Sequence, residues 1–150
     1  WKVLILNLSV LLMGIGLGIF LALVLDSYTT LDDQAIYPAT IFLMAGVSKI
    51  TAYSATQGYM EAMGVPGILL PLVIALEVLG GLAIILGFKT KHVAIALAGF
   101  SVVSAVIFHA DFSDQMQMGM FMKNIAIAGG FLMLVAQGPG AYALDNRLKS

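Results

Sequence analysis

The sequence predicts an all-α membrane protein: a four-helix transmembrane bundle plus one additional N-terminal transmembrane helix. Composition is the first reason. Of 150 residues, 61% are hydrophobic and 10% are charged, and the mean hydropathy is +1.02. A soluble domain covers its surface with about 25% charged residues, so lipid must solvate most of this chain's outside. The second reason is that the apolar residues form continuous runs close to the ~20 residues a helix needs to cross a bilayer. Barrel strands would alternate and span only about 9–11 residues. The third is that polar residues gather between the runs, where a membrane protein places its connections.

The first run, residues 3–25, is interrupted only by Asn7 and Ser9. It is too long for a signal-peptide core and ends without a small-x-small cleavage site, so it reads as a retained span. The second run, 35–53, contains Pro38, and its purely apolar part stops at Val47. The third, fourth and fifth are residues 65–88, 93–110 and 118–136, separated by connections 54–64, 89–92 and 111–117. Gly138, Pro139 and Gly140 close the last helix, because proline cannot continue one and glycine permits the exit turn. The expected division is therefore 1–30, the extra helix and its connector, and 31–150, the four-helix domain. Segment 54–64 carries Ala55, Tyr59, Met60 and Met63 at helical spacing. It reads either as a short surface helix capping the bundle or as a loop. Gly14, Gly18, Gly80, Gly81, Gly87, Gly129 and Gly130 are candidates for close helix approach.

With five spans the termini lie on opposite sides. A cytoplasmic C-terminus puts Lys89, Lys91, Arg147 and Lys149 inside and leaves Lys2 and Lys49 outside, the arrangement the positive-inside rule favours. A net charge of -1 offers no basic stripe for nucleic acid. The absence of cysteine excludes disulfides, thiolate chemistry, Fe–S clusters and Cys-bound zinc. Two histidines, His92 and His109, fall on opposite sides, and no metal site is expected. The stretch from Met116 to Met122 reads as interfacial packing rather than a soft-metal site, since neither Cys nor His stands close in the chain.

Glu77 is the residue that composition cannot account for. It stands in the middle of the third run, where a charge costs roughly 2.5–3.5 kcal/mol on insertion scales and normally faces a partner, a cavity or water. Lys49, His109, Lys123 and Asn124 lie near the same end of other runs. Each has a plain alternative. Lys49 would snorkel to the head groups, His109 would be an interfacial residue, and Glu77 would form a structural salt bridge with Lys49 or Lys123. Asn124, inside the fifth run, needs a hydrogen-bond partner in either case.

Several separated motifs carry a resemblance. Phe42-Leu-Met-Ala-Gly46-Val-Ser-Lys49, Gly58-Tyr-Met-Glu-Ala-Met-Gly-Val-Pro66 and Glu77-Val-Leu-Gly-Gly81 followed by Leu86-Gly-Phe-Lys89 form its first half. Phe108-His109, Phe121-Met-Lys123-Asn124-Ile-Ala-Ile-Ala-Gly129-Gly130 and Gly138-Pro-Gly140-Ala-Tyr-Ala-Leu-Asp145 form its second. Across residues 36–149 the chain resembles the DoxX family of small bacterial inner-membrane proteins. The resemblance implies a four-helix membrane bundle and a tie to quinol-oxidase and thiosulfate:quinone oxidoreductase subunits, with some members linked to resistance against quinones and catechols. Residues 3–25 have no counterpart in that four-helix pattern.

The expectation that follows is a quinone- or quinol-interacting accessory subunit of a membrane oxidoreductase or respiratory complex. Quinone is the expected cofactor, with none bound covalently, and the expected partners are the lipid bilayer and other membrane subunits. Glu77 and His109 are the candidate catalytic groups, moving protons, and Lys49, Lys123 and Asn124 the candidate binding groups. No residue here carries electrons unaided, so a redox role requires a partner or a second cofactor. The alternatives are a non-catalytic structural or assembly subunit, whose buried ions specify helix pairing, and a small-molecule transporter. The last lacks the broken paired helices and internal repeat common in transporters.

Overall fold

The computed structural model describes residues 31–140 and 143–147, so the expected helix at 3–25, with Gly14 and Gly18, lies outside the described residues. The described elements are all helical. They are α1 (Leu31–Thr51), α2 (Tyr53–Ala62), a 3-10 turn at Gly67–Leu69, α3 (Leu70–Leu86), α4 (Thr90–Phe108), α5 (Gln115–Gln137) and α6 (Leu144–Arg147). Helices α1, α3, α4 and α5 alternate in direction. The closest pairings are α1 with α3 and α4 with α5, joined by contacts of α3 with α4 and of α1 with α5.

Three segments, Gly67–Leu86, Thr90–Phe108 and Gln115–Gln137, are long and apolar enough to cross a membrane. The apolar part of α1, Ile36–Thr51, is shorter, spanning about 24 Å at 1.5 Å per residue against a hydrocarbon core of about 30 Å. Large apolar side chains point outward from all four helices, among them Met44, Leu72, Leu79, Val103 and Met133. Such a surface needs lipid, not water, around it.

Local chemistry moves several expected boundaries. The second run does not continue through Tyr53: α1 ends at Thr51 and a separate helix starts at Tyr53, with Ala52 outside helical geometry at φ -109° and ψ 36°. Of the two readings of 54–64, the helix is the one observed. The third run is not one helix either, because Pro66 holds extended backbone before the 3-10 turn and Pro71 sits in the first turn of α3. Proline is tolerated there because the amide it lacks has no helical partner anyway. Helix α5 starts three residues before its apolar run, at Gln115, because Asp114 Oδ1 accepts from the Met116 amide at 2.7 Å and caps it.

The core is small. Phe42 meets Phe100 and Phe131 edge-on, with ring centroids 6.0 and 5.5 Å apart, amid Ala39, Leu97, Ala98 and Ala128. Small residues let the backbones close in, since lipid supplies no hydrophobic drive between helices. A Cβ on Gly81 would lie 2.8 Å from the Ala39 carbonyl oxygen, and one on Gly46 would lie 2.6 Å from Val78 Cγ2. Gly80 packs against Leu97. The other expected approach glycines behave differently: Gly129 and Gly130 face open space, and Gly87 serves as the left-handed cap of α3 with φ 65°.

The closing motif docks beside that cap. Asp145 accepts from the amides of Lys89 and Thr90 at 2.7 and 2.8 Å, and its own amide donates to the Gly87 carbonyl at 2.9 Å. It thereby caps the start of α4, which has no cap from its own flanking residue. Asp145→Ala is expected to cost about 1 kcal/mol, the usual scale of a lost cap, read as a lower unfolding midpoint in detergent; an unchanged midpoint would count against this role.

Candidate functional site

The site forms beside a close approach of α1 and α3. Gly46 brings the helices together, a Cβ there lying 3.1 Å from Glu77 Cβ, and Lys49 follows one turn later in the last turn of α1. Lys49 Nζ donates to Glu77 Oε1 at 2.9 Å and lies 2.8 Å from Oε2. The second contact is an ion pair without a directed hydrogen bond, so Oε2 has no hydrogen-bond donor among the described residues. The Glu77 side chain is 5% exposed and that of Lys49 27%. The pair is therefore shielded at its acidic end and open at its basic end.

Lys49, not Lys123, is thus the partner of Glu77. The reason is reach: α1 and α3 touch at this level, whereas Lys123 stands on α5. Lys123 Nζ instead lies 3.2 Å from Met120 Sδ, its own preceding turn. The Asn124 amide donates to the Met120 carbonyl at 3.0 Å, a local bond that satisfies one of its two N–H groups. His109 caps the end of α4, and its Nδ1 lies 2.7 Å from Gln117 Oε1. With the oxygen accepting, Nδ1 carries the proton in this contact.

All the candidate residues, Glu77, His109, Lys49, Lys123 and Asn124, line one cavity of about 480 Å³. That volume falls in the range of roughly 300–1,000 Å³ typical of small-molecule sites. Thr56 and Tyr59 from α2 and Ser104 from α4 add hydroxyls to its wall. Phe42, about one turn below Gly46 on α1, lines the deeper part with Ile41, Phe100 and Ile127. The cavity's polar groups therefore lie between its α2 end and Glu77, set among apolar residues such as Met60, Leu69 and Phe108, and its walls beyond are apolar.

Helix α2 forms the cover. Met60 is buried, and Tyr59 stacks on Phe108 with centroids 5.5 Å apart and planes at 28°. Beside it, the 111–114 turn is held by Asp111, whose Oδ1 accepts from the Ser113 hydroxyl at 2.6 Å and its amide at 3.1 Å. Those bonds hold the Asp111 carboxyl below the usual carboxylate range.

Sequence reasoning missed Thr56, Ser104 and Gln117. Thr56 stands three residues before Tyr59, and that spacing was the available signal. Ser104 interrupts an apolar helix but reads as an ordinary helix hydroxyl, and nothing local pairs Gln117 with His109. Among the described residues no group of His, Cys, Asp and Glu is placed to hold a metal ion.

Comparison with known proteins assigns the sequence to a family. The family profile described as DoxX matches residues 36–110, a stretch holding Lys49, Glu77, His109 and the whole of α2. The chain belongs to the DoxX family. It is 55% identical over 123 residues to the inner membrane protein YqjF of Escherichia coli strain K12, covering 79% of this chain and 95% of that one. It is also 37% identical over 114 residues to the inner membrane protein YphA of the same strain, covering 71% and 81%. No solved structure matches.

Proposed function

We propose that this DoxX-family protein is a multi-pass protein of the bacterial inner membrane that holds a quinone or quinol as an accessory subunit of a membrane oxidoreductase or respiratory complex. The observation that supports this reading is the cavity's division. Its polar groups are gathered between α2 and Glu77 among apolar residues such as Met60, Leu69 and Phe108, and Phe42, Phe100 and Ile127 line the rest, which suits a ring bearing oxygens on an apolar tail. Glu77, which lines the cavity beside Lys49, would accept from a quinol hydroxyl. Lys123 and Asn124 would donate to a carbonyl, and Glu77 and His109 would pass protons to and from the ring oxygens. Electrons would come from a partner subunit. The positive-inside rule favours a cytoplasmic C-terminus, and with it an α2 end of the cavity that faces outward.

The test is extraction of the purified protein, taken from native membranes in mild detergent, with quantitation of quinone and quinol. Near one molecule per protein is expected. In Glu77→Gln retention should fall roughly tenfold or more, the scale of one hydrogen bond to a charged group. No quinone in the wild type, together with unchanged quinone reduction in Glu77→Gln membranes, would remove the reading.

The position of the ion pair also supports a second reading, a non-catalytic structural or assembly subunit. Lys49 and Glu77 join α1 to α3 beside the close approach at Gly46, and a buried pair can specify how helices pair. Under that reading Glu77→Gln would alter complex assembly in membranes with no loss of retained quinone.

A further inference from the structure

We propose that the Lys123 side of the cavity is a binding site for the anionic head of a single-chain amphiphile, a carboxylate or phosphate on an alkyl tail. The inference rests on the cavity being a ligand site, as proposed above, but not on the ligand being a quinone. Charge balance carries it. The cavity wall contains two lysines and one carboxylate, and that carboxylate is taken by Lys49 at 2.8–2.9 Å. Lys123 has no acidic partner among the described residues, and its polar contact is a methionine sulfur at 3.2 Å, a weak acceptor.

The other acids at this end are engaged elsewhere. Glu61 accepts from Gln57 at 3.3 Å, Asp111 holds Ser113, and Asp114 caps α5 through the Met116 amide. None of them lines the cavity. Lys123, an exposed residue that lines the cavity about two turns inside α5 from its start at Gln115, therefore carries the uncompensated positive charge. The neighbouring Asn124 has one N–H uncommitted beyond its bond to Met120. A lysine and an amide donor in the wall of one cavity suit an oxyanion. The apolar wall of Phe42, Phe100 and Ile127 suits the tail, and a head-only anion would leave it uncovered.

The experiment measures binding to the purified full chain in a non-ionic detergent. The probes are oleate, oleoyl lysophosphatidate, neutral oleyl alcohol and a neutral short-chain benzoquinone. Saturable binding of about one oleate or lysophosphatidate per protein is expected, at least roughly tenfold tighter than oleyl alcohol, the scale of one charge-assisted hydrogen bond. Lys123→Gln should abolish that preference for charge and Lys123→Arg should keep it. Ala45→Phe, which fills the cavity from α1, should remove the binding. The stronger of the two anionic probes identifies carboxylate or phosphate as the head. Equal affinity for oleate and oleyl alcohol in the wild type overturns the inference, even if benzoquinone binds. So does a charge preference that survives either Lys123→Gln or Ala45→Phe. Oleate binding without benzoquinone binding supports it while removing the quinone reading.

Discussion

Glu77→Leu should destabilise the bundle by roughly 3 kcal/mol, the lower end of the cost of stranding one member of a buried ion pair. The lower end applies because Lys49 keeps 27% of its side chain exposed and so retains some hydration after its partner is lost. Lys49→Leu should also destabilise, since it leaves the Glu77 carboxyl, 5% exposed, without its partner. The double variant should recover much of the loss, because leucines at this close crossing leave no stranded polar group. Unfolding in detergent should therefore show coupling of about 1–3 kcal/mol between the two positions. The same cycle between Glu77 and Lys123 should be additive, since Lys123 points to Met120. Additive losses in the Lys49 cycle would show that the two charges act independently.

Gly81→Ala is expected to have the second largest effect, and its sign is the informative part. Alanine is a better helix former than glycine by about 1 kcal/mol, so in open space the change should stabilise. At Gly81 the new Cβ would lie 2.8 Å from the Ala39 carbonyl oxygen and 3.1 Å from the Leu43 amide nitrogen. Both neighbours are backbone and cannot rotate away, so α1 and α3 must separate, costing about 1–3 kcal/mol as other overpacked sites do. Separation also weakens the Lys49–Glu77 contact, which spans the same crossing. Gly129→Ala, where nothing stands within 4 Å, should be neutral or stabilising in the same melting assay. If both glycines respond alike, helix propensity rather than the crossing governs Gly81.

The contrast between these glycines shows what the sequence made legible. Gly80 and Gly81 share a helical face with Glu77, so their role could be read from spacing. Gly129 and Gly130 look the same on paper but face open space, because which face of α5 meets a neighbour is set by packing and not by local pattern. Gly46 escaped notice as an approach residue although it lets Glu77 and Lys49 meet. Its partner surface lies 31 positions away at Glu77, and nothing near it in the chain marks it.

The same distinction holds at the site. A carboxylate inside an apolar run demands a partner on energetic grounds alone, which is why Glu77 and a short list of lysines stood out. Choosing Lys49 over Lys123 required knowing that α1, not α5, crosses α3 at that level. The break at Ala52 that frees α2 to cover the cavity carries no proline or glycine signal, so the run read as continuous through Tyr53. Gln117 pairs with His109 across the turn that Asp111 and Ser113 shape, a contact from the end of one helix to the first turn of the next that no periodicity reports.

The most direct measurement is native mass spectrometry of the purified full chain, wild type beside Ala45→Phe, recording small molecules retained on the protein. Ala45 lines the cavity between Phe42 and Lys49 on α1, so a phenyl ring there occupies the space where polar and apolar walls meet. The expected result is about one amphiphilic molecule per wild-type protein and none on the filled variant, with both folded to the same helical content. Equal retention by the two, or a wild type that holds no such molecule, would contradict the assignment of this cavity as a ligand site.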